Sequence, residues 1–323
     1  MGLAGSILLE PSLQGTVLPK LALCAVPVFV AGLLEDTGWR VPAVWRLAAS
    51  VCSSVLAIGV LGTVLTRLGF APVDAVFALF LPAMVGTVLV LTGAAHAFNL
   101  VDGLHGLCGF AGLITAGALA MIALKTGQDP MAQVLWSVMA SVGGVLLVNF
   151  PRGLLFMGDA GAYVLGFVLA CIAVKMLQFT PELSPWAVVL VFFWPLADMV
   201  FAVARRIANR RSPLCADRLH FHHILLRSVE ILFIARQNST LSNPVATLIL
   251  LPFMAAPAIL GVLVWNRNGL AFGLVVLSTS LFQITYRAVA AAAKRRSFAV
   301  FGVTPQTGHR KAKRHKRVRR DKV

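Results

Sequence analysis

Four short segments hold most of the side chains in this sequence that could do chemistry. The first, Gly32-Leu-Leu-Glu35-Asp36-Thr37-Gly38-Trp39-Arg40, sets two carboxylates side by side. Adjacent carboxylates repel, so they call for a cation or a shared proton, unless both are simply solvated at a helix end. The second, His96-Ala-Phe-Asn99-Leu-Val-Asp102-Gly103-Leu-His105, repeats a polar group every third residue. On a straight helix these groups would drift round one face, whereas in a bent, Gly-containing segment they would line a pocket. A stripe of interhelical hydrogen bonds is the plainer alternative. The third runs from Asn149 through Phe156 to Gly158-Asp159-Ala160-Gly161 and places Asp159 at the mouth of an apolar run. A carboxylate there suits Mg²⁺, which takes one or two carboxylates and completes its shell from substrate phosphates. The adjoining helix N-terminus favours phosphate, although Asp159 would serve equally as a plain helix cap. The fourth contains Cys215, Asp217, Arg218, His220, His222 and His223, a set suited to a diphosphate or a metal. It lacks the separated ligand pairs usual for zinc.

What positions these segments follows from composition. The 323 residues are 59% hydrophobic and only 12% charged, with a mean hydropathy of +0.86. Soluble domains carry about 25% charged residues, so a soluble globular protein is excluded, as is a largely disordered chain. Apolar windows suited to membrane helices fall at 17–34, 47–66, 75–95, 106–124, 130–148, 160–179, 183–204, 244–265 and 269–286. The expectation is an all-α, polytopic membrane protein of about nine helices, with the chemistry in loops at one face. The alternation of an outer-membrane strand is missing, and the start lacks the basic region of a cleaved signal peptide. Three parts are expected: an N-terminal segment 1–16, a transmembrane domain 17–290 and a disordered basic tail 291–323.

Charge gives the sidedness. Of the 28 Lys and Arg, only Lys20, Arg67, Lys125, Lys175 and Arg267 fall outside one set of alternating connections and the tail. By the positive-inside rule that set is cytoplasmic, and it holds all four segments. The tail is expected to hold anionic lipid headgroups. A nucleic-acid partner is not expected, because no recognition fold accompanies the basic arm. The five cysteines lack metal or disulfide spacing and read as small core residues.

Jointly, the four segments resemble the polyprenyl-phosphate N-acetylhexosamine-1-phosphate transferases, glycosyltransferase family 4. This family includes phospho-N-acetylmuramoyl-pentapeptide transferase and the UDP-GlcNAc:undecaprenyl-phosphate GlcNAc-1-phosphate transferases. The likeness runs from about Pro27 to Trp265 through GLLEDTGWRV, NLVDGLHGL, NFPRGLLFMGDAGAYVLGF and RSPLCADRLHFHH. It implies transfer of an N-acetylhexosamine 1-phosphate, GlcNAc-1-phosphate foremost, from a UDP-sugar to a polyprenyl phosphate in a bacterial inner membrane, with release of UMP, at the start of cell-envelope polysaccharide synthesis. By the family pattern Asp159 would hold Mg²⁺ (or Mn²⁺), and Glu35 and Asp36 would be the catalytic pair that deprotonates or positions the lipid phosphate. Asn99, Asp102, Asn149 and Phe156 would line the uridine pocket, with Phe156 as a stacking surface. Arg218, His220, His222 and His223 would lie near the diphosphate-sugar. UDP-N-acetylhexosamine and polyprenyl phosphate are thus the expected partners, and a homodimer is left open.

The sequence also departs from the family pattern. Glu35 stands where many members have Asp, His96 where Asn is usual, and His105 where many carry a second Asp, which weakens any two-carboxylate metal site there. Only 34 residues precede Glu35, so the family's basic, Gly-rich loop is expected to be encoded further upstream, and the 323-residue chain is expected to turn over poorly. Two other readings remain: an inactive homologue with a scaffolding role, and a transporter, since intramembrane acids and broken helices also mark ion paths. Against transport, the charges gather at one face without a transmembrane relay, and no internal repeat is evident.

Overall fold

A computed structural model describes residues 17–210, 212, 219–232 and 239–301. Arg218, with Cys215 and Asp217, lies outside the described residues, as do the first 16 residues and the tail from 302 onward. Among the described residues there are twelve helices and no strand. In chain order they are α1 (Leu18–Asp36), α2 (Ala43–Leu61), α3 (Ala71–Phe77), α4 (Phe80–Val101), α5 (Leu107–Lys125) and α6 (Asp129–Asn149). Then follow α7 (Gly158–Phe179), α8 (Pro185–Val191), α9 (Phe193–Ala208), α10 (Phe221–Leu232), α11 (Ser239–Leu263) and α12 (Asn268–Phe301). Eight are long and apolar enough to cross a membrane, and the bent pair α8–α9 makes a ninth span if taken as one. The protein is a polytopic, all-α membrane protein.

Three expectations need correction. The window 183–204 is not one helix, because α8 and α9 meet at 85°. Pro195 explains the break: it cannot donate to the Val191 carbonyl, and its ring would clash there. That carbonyl instead accepts from the Thr115 hydroxyl at 3.4 Å. The window 75–95 is split, with α3 ending at Phe77 and the span running from Phe80 to Val101. Asn99 therefore rides on the helix, and Asp102 follows its last turn. The basic tail does not begin as a disordered arm at 291, since α12 continues to Phe301. Ala290–Ala293 are strong helix formers, which carries the helix past 291.

The core is built on α7, whose buried residues run from Ala160 to Leu177. It packs most extensively on α1 and α4. Small residues allow that closeness: a Cβ at Gly32 of α1 would lie 2.5 Å from the Ala160 Cα, and one at Gly166 would lie 2.4 Å from the Ala94 carbonyl oxygen. Backbones that approach so closely gain dispersion contacts that side-chain packing alone does not supply in lipid. The consequence for the site is direct. With α1 crossing at Ala160, the last residue of α1, Asp36, arrives over the first turn of α7.

Candidate active site

The first turn of α7 has unsatisfied backbone N–H groups, as every helix start does. Its own flanking residue, Met157, offers no side-chain cap. Carboxylates from two other helices do the capping. Asp36 Oδ1 accepts from the Asp159 N–H at 2.8 Å, and Asp36 Oδ2 accepts from the Ala160 N–H at 3.0 Å. Asp102 Oδ2 accepts from the Gly158 N–H at 3.1 Å. Gly158 has φ +70, and a Cβ there would lie 2.7 Å from Asp36 Oδ2. Asp159 is therefore not the helix cap, and the α7 amides are not a vacant phosphate cradle; Asp36 and Asp102 already occupy them.

Freed from capping, the Asp159 carboxylate turns outward. Its Oδ1 accepts from Asn99 Nδ2 at 2.8 Å, and its Oδ2 pairs with Arg46 Nη1 at 2.9 Å. The side chains of Arg46 and Asp159 are 24% and 27% exposed, so the pair borders open space. Tyr163 lies one turn beyond Asp159 on the same helix face. The Tyr163 ring meets His96 edge-on at 5.0 Å, and His96 Nε2 lies 3.0 Å from the Ser50 hydroxyl. Glu35 accepts from the Val41 N–H at 2.6 Å, which folds the α1–α2 connection back on itself.

The other expected residues have different parts. Asn149 is buried; its Oδ1 accepts from the Gly106 N–H and its Nδ2 donates to the Leu155 carbonyl. It ties the two loops together. Phe156 is exposed and sits edge-on to His105 at 5.5 Å. His105 Nδ1 in turn donates to the Pro151 carbonyl at 3.0 Å. His220 and His222 are buried against Asp198, and His223 is half-buried. The structure thus brings Asp36, Asn99, Asp102 and Asp159 together, with Glu35 behind them and Phe156 at the adjacent loop. It assigns Asn149 to support.

Electrostatics sets what the cluster can hold. Asp36, Asp102 and Asp159 gather at the start of α7, where Asp159 pairs with the guanidinium of Arg46. Burial pushes the Asp102 carboxyl up to about 6; the Gly158 N–H opposes this, and the nearby Asp159 and Asp36 add to it. The surplus of negative charge repels a bare diphosphate and attracts a hard cation. The donor chemistry fits Mg²⁺, which needs few carboxylates when phosphates complete its shell. Among the described residues no three His, Cys, Asp or Glu are grouped so as to hold a metal ion by themselves.

Three residues escaped the sequence reading: Arg46, Tyr163 and Asp198. Arg46 carried a signal, being a lone cation one turn into an otherwise uncharged helix, α2. Tyr163 follows Asp159 at helical spacing. Asp198 was visible as an acid inside an apolar window, but nothing in the sequence tied it to histidines more than twenty residues away.

With this arrangement in view, comparison with known proteins gives a consistent result. Residues 18–177, which contain Asp36, Arg46, Asn99, Asp102 and Asp159, match the sequence model of glycosyl transferase family 4. The chain belongs to that family. Undecaprenyl-phosphate alpha-N-acetylglucosaminyl 1-phosphate transferase of Yersinia pestis is 30% identical over 236 residues, 71% of this chain and 63% of that protein. Decaprenyl-phosphate N-acetylglucosaminephosphotransferase of Mycobacterium tuberculosis (strain ATCC 25618 / H37Rv) is 29% identical over 260 residues, 70% of this chain and 63% of that protein. The Escherichia coli (strain K12) undecaprenyl-phosphate enzyme is 32% identical over 168 residues, 50% of this chain and 45% of its own length. The chain therefore spans less than two thirds of the length of these relatives.

Proposed function

We propose that this glycosyl transferase family 4 member moves an N-acetylhexosamine 1-phosphate, GlcNAc-1-phosphate foremost, from a UDP-sugar to a polyprenyl phosphate. A phosphate oxygen of the lipid bonds to the β-phosphorus, the bond from that phosphorus to the bridging oxygen breaks, and UMP leaves. The observation that carries this reading is the convergence of Asp36, Asp102 and Asp159 from three separate segments on one helix start, with Arg46 paired to Asp159. Phosphoryl transfer asks a protein mainly for positioning and charge neutralisation. The names of the relatives support the acceptor and the sugar.

The residues divide the work accordingly. Asp36 fixes the start of α7 against α1, and Glu35 fixes the connection that follows. Asn99 and Arg46 hold the Asp159 carboxylate from either side. Asp159 would hold Mg²⁺, which when bound supplies Lewis-acid polarisation of the phosphoryl oxygens. Arg46 neutralises charge at the same place, and the exposed Phe156 ring offers a flat apolar face to a base. The skew of Lys and Arg supports placing this end of the bundle in the cytoplasm, where a water-soluble nucleotide arrives. The test is direct: purified protein, a radiolabelled UDP-N-acetylhexosamine panel, polyprenyl phosphate and Mg²⁺ in detergent. Lipid-extractable label with stoichiometric UMP is the expected result. Absence of both across the panel, with folded protein, would overturn the reading.

A further inference from the structure

On α9, past its bend with α8, lies a buried polar cluster separate from the carboxylates at the start of α7. Asp198, on the second turn of α9, is 2% exposed. Its Oδ1 accepts from the Phe221 N–H at 3.0 Å, and its Oδ2 accepts from His222 Nδ1 at 3.0 Å. His220 Nδ1 stands 3.3 Å from the same Oδ2. One carboxylate thus gathers the start of α10 and two histidines of the His-rich segment. His222 is fully buried, and its Nε2 has no hydrogen-bond partner among the described residues. That nitrogen is aimed at the Asn99–His105 segment, since a Cβ at Gly103 would lie 2.9 Å from it and 3.2 Å from His223 Cε1. Gly103 directly follows Asp102, so the histidines form the underside of the loop that caps α7.

A buried carboxylate cannot remain unpaired without a large desolvation cost. A carboxylate bonded to Nδ1 also decides where the imidazole proton sits, because ionised oxygen only accepts. We infer that Asp198 is a positioning residue: it seats the His-rich segment against Gly103 and keeps the His222 proton on Nδ1, leaving Nε2 turned toward the Asp102 loop. The activity consequence rests on the transferase reading above; the position of the proton does not.

Asp198→Asn tests it sharply. The Asn oxygen is the only atom able to accept from the Phe221 N–H, so the Asn NH₂ must face His222 Nδ1. Two donors cannot face each other, and the ring proton is forced to Nε2, as in other carboxylate–histidine pairs where Asn replaces Asp. Nitrogen NMR of ring-labelled protein should show His222 carrying its proton on Nδ1 in the wild type and on Nε2 in D198N. In the turnover assay, kcat should fall roughly 10- to 100-fold while KM for the UDP-sugar changes less, as for other partners that orient a functional histidine. A loss of kcat confined to unfolded material, or a D198N ring with its proton still on Nδ1, would overturn the inference. Should D198N not fold, the wild-type spectrum decides alone: a proton found only on Nε2 overturns the assignment. Gly103→Ala approaches the same ring from the loop side and leaves α9 untouched. It should lower turnover at least about tenfold with the proton still on Nδ1, and wild-type turnover in G103A would refute the seating. If no UDP-sugar is turned over by any form, the transferase reading fails, and the NMR result still judges Asp198.

Discussion

The two ends of α7 face the same physical problem and solve it with opposite charges. At Gly158 the orphan N–H groups are taken by Asp36 and Asp102, both from other helices. At Phe179 the last carbonyls meet Arg67, whose guanidinium donates to Leu177 at 3.4 Å and, just past the helix end, to Thr180 at 2.9 Å and Leu183 at 2.7 Å. Both choices agree with the helix dipole. Among the described residues the far end adds Gln128, which reaches the Thr180 hydroxyl at 2.6 Å, Lys175, whose ammonium lies 5.4 Å over the Phe179 ring, and Asp74 and Glu182 near Arg67. The near end carries more charge than capping requires, because Asp159 adds a third carboxylate and Arg46 a counter-charge. A protein optimised only for stability has no use for that surplus. Its presence at one end is the feature that the proposed reaction would use.

Removing the surplus charge should have the largest effect on activity and little on folding. Asp159→Asn keeps an acceptor for Asn99 but loses the charge toward Arg46 and any cation, so turnover should drop by about 10²- to 10³-fold or more. The ion pair is partly exposed, so its loss should cost only about 1 kcal/mol or less of stability. UMP release per folded molecule, with melting measured alongside, checks both. Near-wild-type turnover at saturating Mg²⁺ would dissolve the contrast between the two ends.

The capping charges offer the converse comparison. Arg67→Ala strips a cation from the carbonyls of Thr180 and Leu183 and should cost roughly 2–3 kcal/mol. Its kcat per folded molecule should stay as in the wild type, since nothing at that end faces substrate. Asp36→Ala also removes a cap, worth about 1 kcal/mol, yet should lower kcat as well, because the Asp159 backbone loses its anchor. Thermal melting and turnover of the two variants should therefore separate; a fall in kcat for both in proportion to stability would make the ends equivalent.

How much of this was legible in the sequence depends on the range of each interaction. The spans were, because apolar runs of membrane length are local. The gathering of Asp36, Asn99, Asp102 and Asp159 was legible only as four motifs on one face; no spacing says that α1 crosses α7 at Gly32. The 85° bend was hidden in an unbroken apolar window, although Pro195 was in plain sight. Prolines are common in membrane helices, and only the packing decides which of them breaks one. The loop-bridging part of Asn149 was hidden for a related reason. An Asn beside a predicted pocket looks like a ligand contact until its amide is found joining Gly106 to Leu155. Arg46 was discounted as a loop charge because the sequence cannot show which side of its helix meets Asp159.

The smallest expected effect concerns the cost of the surplus itself. In the folded, metal-free protein the Asp102 carboxyl is pushed up to about 6 from 3.8, by burial first and by Asp159 and Asp36 after it. An acid whose folded pKa lies above its unfolded value binds a proton in the native state that the unfolded chain has already released. Its contribution is fully present below about pH 4 and is lost as pH rises through about 6. Asp102→Asn cannot ionise, and its side-chain oxygen can still accept from the Gly158 N–H. The melting temperature of D102N relative to wild type should therefore rise between pH 4 and pH 7 and then level, for a gain on the order of 1–3 kcal/mol. Added Mg²⁺ should shrink that gap at pH 7, because a nearby cation favours the ionised wild-type carboxylate, while leaving R67A unaffected relative to wild type. A gap that does not change with pH would mean that Asp102 is as comfortably ionised as the caps of an ordinary helix, and that the near end of α7 stores no more electrostatic strain than the far one.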